Sequence, residues 1–452
     1  MHRVAAFFTR VFEYAVPDPY VYAIGLTLIT AALAFALAPH HSPSDVLGAW
    51  YGGIFDILAF ALQMILILVT GYALASSAPV QRALRRVAEW PQTTKGAVTL
   101  TFLVSALACW LNWGFGLVVA GLLAREIASR MRIDFGWLVA AAYGGFVVWA
   151  SGLSSSIALA QATPGSKLNI VQNLTGHVLP LGSTIFTAFN LIPVVVLLIV
   201  VPFVLRALEP ADVVVAQNTS PPRAGSPISA AHHDNVELGL GARTLASVLD
   251  NAWILNVIVA LAGLGYIAWH WFTAGVALDI DSLIFIFFCA GLLLHWRPTA
   301  YVAAVNDAAR ITGPLILQYP LYGGIMGMMT VTGLAGVIAQ WFDAFSNAAT
   351  LPFWSYVSSI IISLFVPSGG GHWAVQGPFA VPAAVKMHAS LPATAMGVAI
   401  GEEVANMIQP FWALPVLAIA GIGLRRVMAF TVAIFAIAFV VFAAALLLLI
   451  PR

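Results

Sequence analysis

Residues 366–373 read Val366-Pro367-Ser368-Gly369-Gly370-Gly371-His372-Trp373, inside a largely apolar stretch that runs from Phe353 to Met387. Proline removes a helical N–H, and each glycine weakens a helix by about 1 kcal/mol, so the stretch cannot be one continuous helix. It reads as two half-helices meeting at a break. Long apolar runs surround it: Tyr20 to Ala38, Gly53 to Ala75, Phe135 to Ala150, Ser183 to Leu205, Ala252 to Trp271, Ser282 to Trp296 and Met428 to Ile450. These approach the roughly 20 residues that cross a hydrocarbon core as a helix, which predicts an all-α polytopic membrane protein. Composition agrees, with 61% hydrophobic and only 8% charged residues among 452, where a soluble domain carries about 25% charged. Mean hydropathy is +0.95. The formal net charge of +1 gives no basic surface for a nucleic acid. Cys109 and Cys289 lie within apolar runs and read as small buried hydrophobes, without a disulfide framework or thiolate metal site.

A cytoplasmic N-terminus puts every Lys and Arg of the 19 inside, except Lys167, Lys386 and Arg452, as the positive-inside bias requires. Residues 1–16 set Phe7, Phe8, Val11 and Phe12 beside Arg3 and Arg10, which predicts a retained interfacial helix rather than a cleaved signal. The same count exposes a second break. Residues 97–124 have both ends cytoplasmic, yet two full crossings need about 40 residues. A re-entrant hairpin satisfies both facts, turning at Leu111-Asn112-Trp113-Gly114-Phe115-Gly116. Residues 353–387 form its counterpart from the periplasmic side. Each hairpin follows one span and precedes two, with every direction reversed, which predicts an inverted-topology repeat. The halves are residues 1–205 and 251–452, joined by a polar cytoplasmic linker at 206–250.

Transporters with such repeats hold substrate near the midplane, between broken helices. Asn112, Trp113 and Gly114 would offer an amide and half-helix N–H groups to a carboxylate; a plain packing kink would use the same residues. Ser368, Gly369, Gly370, Gly371 and His372 would let a small anion reach backbone N–H groups, the glycines supplying positive φ; their other reading is a tight contact between helices. The span after each hairpin is also interrupted, first at Ser151 to Ser156 and then from Gly401 to Gln409-Pro410. Ser154 and Ser155 there are ligand candidates or ordinary helix-to-helix glue, and Asn406 stands in the matching position. Glu402 and Glu403 are carboxylates in an apolar segment, where a charge is costly, and are candidates for proton coupling together with His372. Side chains adjacent on a helix diverge by about 100°, so at most one of the two faces the cavity. Lys167 reads as a solvated charge, and Asp307 with Arg310 as a surface pair. The sequence carries no His-Glu-x-x-His, Gly-x-Ser-x-Gly or Walker-type loop, so no enzyme, cofactor or metal is expected.

The strings Gly71-Tyr-Ala-Leu-Ala-Ser-Ser-Ala-Pro-Val80, Leu111-Asn-Trp-Gly-Phe-Gly-Leu-Val-Val119, Ala162-Thr-Pro-Gly165, Pro367-Ser-Gly-Gly-Gly-His-Trp373 with Gln376-Gly-Pro378, and Gln409-Pro-Phe-Trp-Ala-Leu-Pro415 resemble the bacterial short-chain fatty acid transporter family (AtoE-like). The resemblance runs from about residue 17 to 425. It implies uptake of acetoacetate, butyrate or similar monocarboxylates across the inner membrane, coupled to a cation gradient with H⁺ favoured over Na⁺. It also implies kinship with the ion-transporter superfamily, an elevator-type motion and a homodimer. Dicarboxylate transporters of that superfamily often carry Ser-Asn-Thr at both tips; this chain carries neither. A passive anion channel or facilitator for small carboxylates is the competing reading.

Overall fold

The computed structural model describes residues 19–210, 213–215, 245–364, 366–409 and 411–451. The interfacial helix expected over residues 1–16, and most of the 206–250 linker, lie outside them. Among the described residues the chain is helical, without strands. Six helices are long and apolar enough to cross a membrane: Tyr20–Leu37, Pro43–Ser76, Thr94–Leu111, Ala188–Ala207, Trp253–Ala274 and Arg426–Leu448. Their starts are written in local chemistry. Ser42 accepts a hydrogen bond from Asp45 N ahead of Pro43, Thr93 from Gly96 N, and Asp279 forms a capping box with Ser282 at the start of Ile280–His295.

Two expectations need correction. The stretch from 313 to 341, expected as the span before the second hairpin, is not one continuous helix: Gly313–Val331 ends at Thr332-Gly333 and the chain turns by 80° into Leu334–Trp341. Gly333 sits at φ +81°, a left-handed position that glycine adopts without strain. Gly53 to Ala75 also begins earlier than its hydropathy suggests, because Pro43–Asp56 runs on through Ile57 into Leu58–Ser76.

Gly313–Val331 packs closely on Pro43–Asp56. A Cβ added at Gly53 would strike Gly323 O and sit 2.9 Å from Gly327 Cα, so these backbones meet only because the residues are glycine. The centre of the protein is formed by two helices that lipid does not reach. Phe135–Gly144, prolonged by a 3₁₀ turn Gly145–Val148, is buried throughout, as is Leu391–Ala405 from Ala393 onward. Each ends in non-helical chain, at residues 149–155 and at 406–409 and 411–412. At the linker's start Thr94 donates to Glu209 (2.6 Å) and Lys95 Nζ lies 3.4 Å away, and together they hold the Glu209 carboxyl below the usual carboxylate range. Val214 then pairs with Asp134 and Phe135, tying the chain to the buried helix at its cap.

Candidate functional site

Two further breaks face those two. Thr94–Leu111 stops at Asn112 and Trp113–Ala128 starts directly after it; Leu351–Ser363 stops before Val366-Pro367-Ser368 and Gly369–Met387 follows. Asn112 and Ser368 occupy the same position at the two helix starts, with φ, ψ of −155°, 121° and −154°, 116°. Asn112 Oδ1 accepts from Phe115 N at 2.9 Å, a side-chain cap. A Cβ on Gly71 would collide with that oxygen, and one on Gly114 would press on Leu68.

Hydrogen bonds stitch the four breaks together. Ser154 Oγ accepts from Trp113 N at 2.8 Å, joining the first tip to the first interrupted span. Trp149 Nε1 donates to Asn406 Oδ1 (2.9 Å) and Tyr143 to Asn406 O (2.7 Å), joining that span to the second. Trp412 Nε1 donates to Pro367 O at 2.8 Å, which adds the second tip and completes a chain of bonds through the four breaks. Among them lies a cavity lined by Trp113, Phe146, Trp149, Ser156 and Trp412, with Ser368 and Gly369 from the second tip and Leu315 and Tyr319 from Gly313–Val331. Its volume of about 10 Å³ is the room of one water molecule. Ser368 donates to the Tyr319 phenol oxygen at 3.0 Å, which leaves the phenol's own hydrogen available to another acceptor.

Of the residues singled out in the sequence, Trp113, Ser368 and Gly369 line the cavity. Asn112 and Ser154 stand one bond from it, and Ser155 caps Ser156–Ala162 through Ala158 N at 3.4 Å. The glycines of the second tip do not take positive φ; they form the first turn of a helix. Each is small for a different neighbour: a Cβ would meet Trp149 and Ser156 at Gly369, Phe60 at Gly370, and Tyr322 at Gly371. His372 turns away from the cavity. Its Nε2 lies 2.7 Å from Gln376 Oε1 and 3.0 Å from Ser359 Oγ. Ser359 spends its hydrogen on Val398 O, and the Gln376 amide donates to Ser355 O and Ser358 Oγ, so Nε2 carries the proton and braces the tip. Asn406 is a strut between Tyr143 and Trp149.

The two glutamates part company. Glu403 accepts from Ser151 N and Ser151 Oγ, both at 2.9 Å, clamping the first interrupted span to the second. Glu402 is equally buried, yet neither of its oxygens finds a hydrogen-bond partner among the described residues. It lies within electrostatic reach of Tyr319. Bare N–H donors stand here too: Asn406 Nδ2 at the second interrupted span, and Asn112 Nδ2 and Trp113 Nε1 at the first tip, the last two in residues 1% and 4% exposed. Those two stand where Trp113–Ala128 begins, the positive end of its dipole. Ser156 comes from the Ser151 to Ser156 break read in the sequence, whereas Tyr319, Leu315, Trp149 and Phe146 are cavity residues that the sequence did not single out.

Apolar spans around four stitched breaks, with a polar-edged cavity among them, define a multi-pass helical membrane protein. Its fold resembles that in the crystal structure of the Alcanivorax borkumensis YdaH transporter, described as revealing an unusual topology, with a TM-score of 0.60 at 15% identity, over 95% of this chain and 98% of that one. The chain belongs to the short-chain fatty acid transporter family, whose model matches residues 1–449. An Escherichia coli K12 protein named "Putative short-chain fatty acid transporter" is 40% identical over 434 residues, 95% of this chain and 96% of its own. A Haemophilus influenzae protein of the same name is 35% identical over 433 residues, 95% of each.

Proposed function

We propose that the protein is a secondary transporter that takes up short-chain monocarboxylates such as butyrate or acetoacetate across the bacterial inner membrane, driven by H⁺. One observation carries the reading: buried, unpartnered N–H donors at Asn112 and Trp113 stand beside a cavity whose far edge is the Ser368 and Tyr319 hydroxyl pair. Bare donors at a helix start are complementary to a carboxylate, and an unmade hydrogen bond there favours the ligand that completes it. Glu402 is, among the described residues, the buried carboxyl free of partners, and so the one free to exchange a proton as substrate arrives. The cavity is closed in this conformation; admitting butyrate requires the tips to separate.

The basic residues support a cytoplasmic N-terminus, with the breaks at Asn112 and at 366–368 as tips of re-entrant hairpins entering from opposite faces. An inverted repeat of residues 1–205 and 251–452 is supported by the matching dihedral angles of Asn112 and Ser368, and by the two buried helices that each end in a break. Leu58–Ser76 and Gly313–Val331 pack against the second arms of the two hairpins, which suits an elevator in which those arms slide past fixed helices. A homodimer belongs to the same reading.

Uptake of labelled butyrate and acetoacetate into proteoliposomes tests it, under a pH gradient, a Na⁺ gradient or neither, against empty liposomes through which neutral acids leak. Accumulation above the control that follows the pH gradient, and that Glu402→Gln abolishes, is the expected result. Uptake no faster than in empty liposomes under every gradient refutes the assignment, and dissipative flux without coupling replaces it with a channel.

A further inference from the structure

The cavity lining is of two kinds. Ser368, Tyr319 and Ser156 contribute hydroxyls. Most of the rest is a cluster of rings: Trp113 lies 5.1 Å from Trp412 and 6.4 Å from Trp149 by centroid, and Phe146 stacks on Trp149 at 5.5 Å. This cluster is rigid, because the Trp149 and Trp412 indoles are tied by their Nε1 atoms to Asn406 and Pro367. Leu315 completes the lining from a separate helix, one turn before Tyr319. It is 3% exposed and has no polar atom to anchor it.

We infer that Leu315, set against the fixed indoles, determines how long a carbon chain the protein accepts. The inference rests on the reading that a small carboxylate occupies this cavity. With the carboxylate at the Asn112 and Trp113 donors, the alkyl tail crosses along the rings toward Leu315 and Tyr319, and its end meets a packed interior, which accommodates extra methylenes only by distortion. The indoles cannot yield without breaking the bonds that hold the tips. Leu315 is therefore the adjustable stop: replacing it by Ala removes an isopropyl group from the end of the slot, and replacing it by Phe fills the slot further.

Each methylene that gains or loses a place changes binding about fourfold. Competition of propionate, butyrate, hexanoate and octanoate against labelled butyrate uptake in proteoliposomes measures the effect. The same ratios are read without transport by titrating each acid against tryptophan fluorescence of the purified protein. Leu315→Ala is expected to raise hexanoate about tenfold relative to butyrate, and Leu315→Phe to lower butyrate at least fourfold relative to propionate. An unchanged chain-length order in both variants, with wild-type butyrate uptake intact, overturns the inference and leaves the transport assignment standing. Wild-type protein that neither takes up nor binds any of the acids overturns the transport assignment itself, and this inference with it.

Discussion

Replacing Glu402 and Glu403 in turn by methionine is expected to shift stability in opposite directions. Both carboxyls are fully buried, one residue apart on one helix, and differ in their partners. Glu402 leaves two oxygens without hydrogen bonds, and a buried polar group in that state costs about 1–3 kcal/mol, which methionine of similar length removes. Glu403 satisfies the N–H and hydroxyl of Ser151, so its loss strands two buried donors at about 1–3 kcal/mol each. Glu402→Met should thus melt above the wild type and Glu403→Met several kcal/mol below it. Cys109 and Cys289 are both buried and free, so a thiol-reactive dye that fluoresces on their exposure reports unfolding directly. Glu402→Met should meanwhile lose pH-gradient-driven uptake despite its higher stability. If it proves the less stable of the two, its oxygens have partners in the working protein, and the reasoning that frees it for proton exchange fails.

Gly370→Val should cut uptake at least tenfold, since its Cβ would overlap the Phe60 ring, and adding Phe60→Leu should restore part of the loss; transport assays of the single and double variants decide this. Asn112→Ala should cost about 1 kcal/mol through loss of the Phe115 cap, whereas Asn112→Asp should keep thermal stability but lose carboxylate binding, having an acceptor where the amide donor stood. Melting curves and butyrate titration separate the two effects. Lys167→Ala, which breaks an exposed pair with Asp56 at 3.7 Å, should change stability by less than about 1 kcal/mol and uptake by less than twofold.

The break at 366–368 was legible because proline and a glycine run interrupt an apolar stretch, and the break at Asn112 because the basic residues flanking 97–124 leave too few residues between them for two crossings. The glutamate pair was legible as charge in an apolar segment. Which carboxyl is bare was not, because the deciding partner, Ser151, lies 252 residues away in sequence. The glycine run was read as open backbone. Its small size instead admits Trp149, Phe60 and Tyr322, a need that only packing reveals. His372 read as a cavity handle, although Gln376 four residues on was available to claim it. Leu315 and Tyr319 gave no signal, being single residues in an expected span whose cavity face is set by other helices. The 80° bend did leave a mark, the Thr332-Gly333 pair, which hydropathy averaging hides.

The chain of side-chain hydrogen bonds through the breaks has an electrical consequence. Freed backbone groups of interrupted helices can recruit ordered water, and a continuous file of water conducts protons. Here Ser154, Tyr143 and the Trp412 indole engage backbone groups of Trp113, Asn406 and Pro367, and the cavity among them has room for about one water. With nothing aboard, the protein is expected to be an insulator, so that a cell can keep many copies in its membrane without short-circuiting its ion gradients.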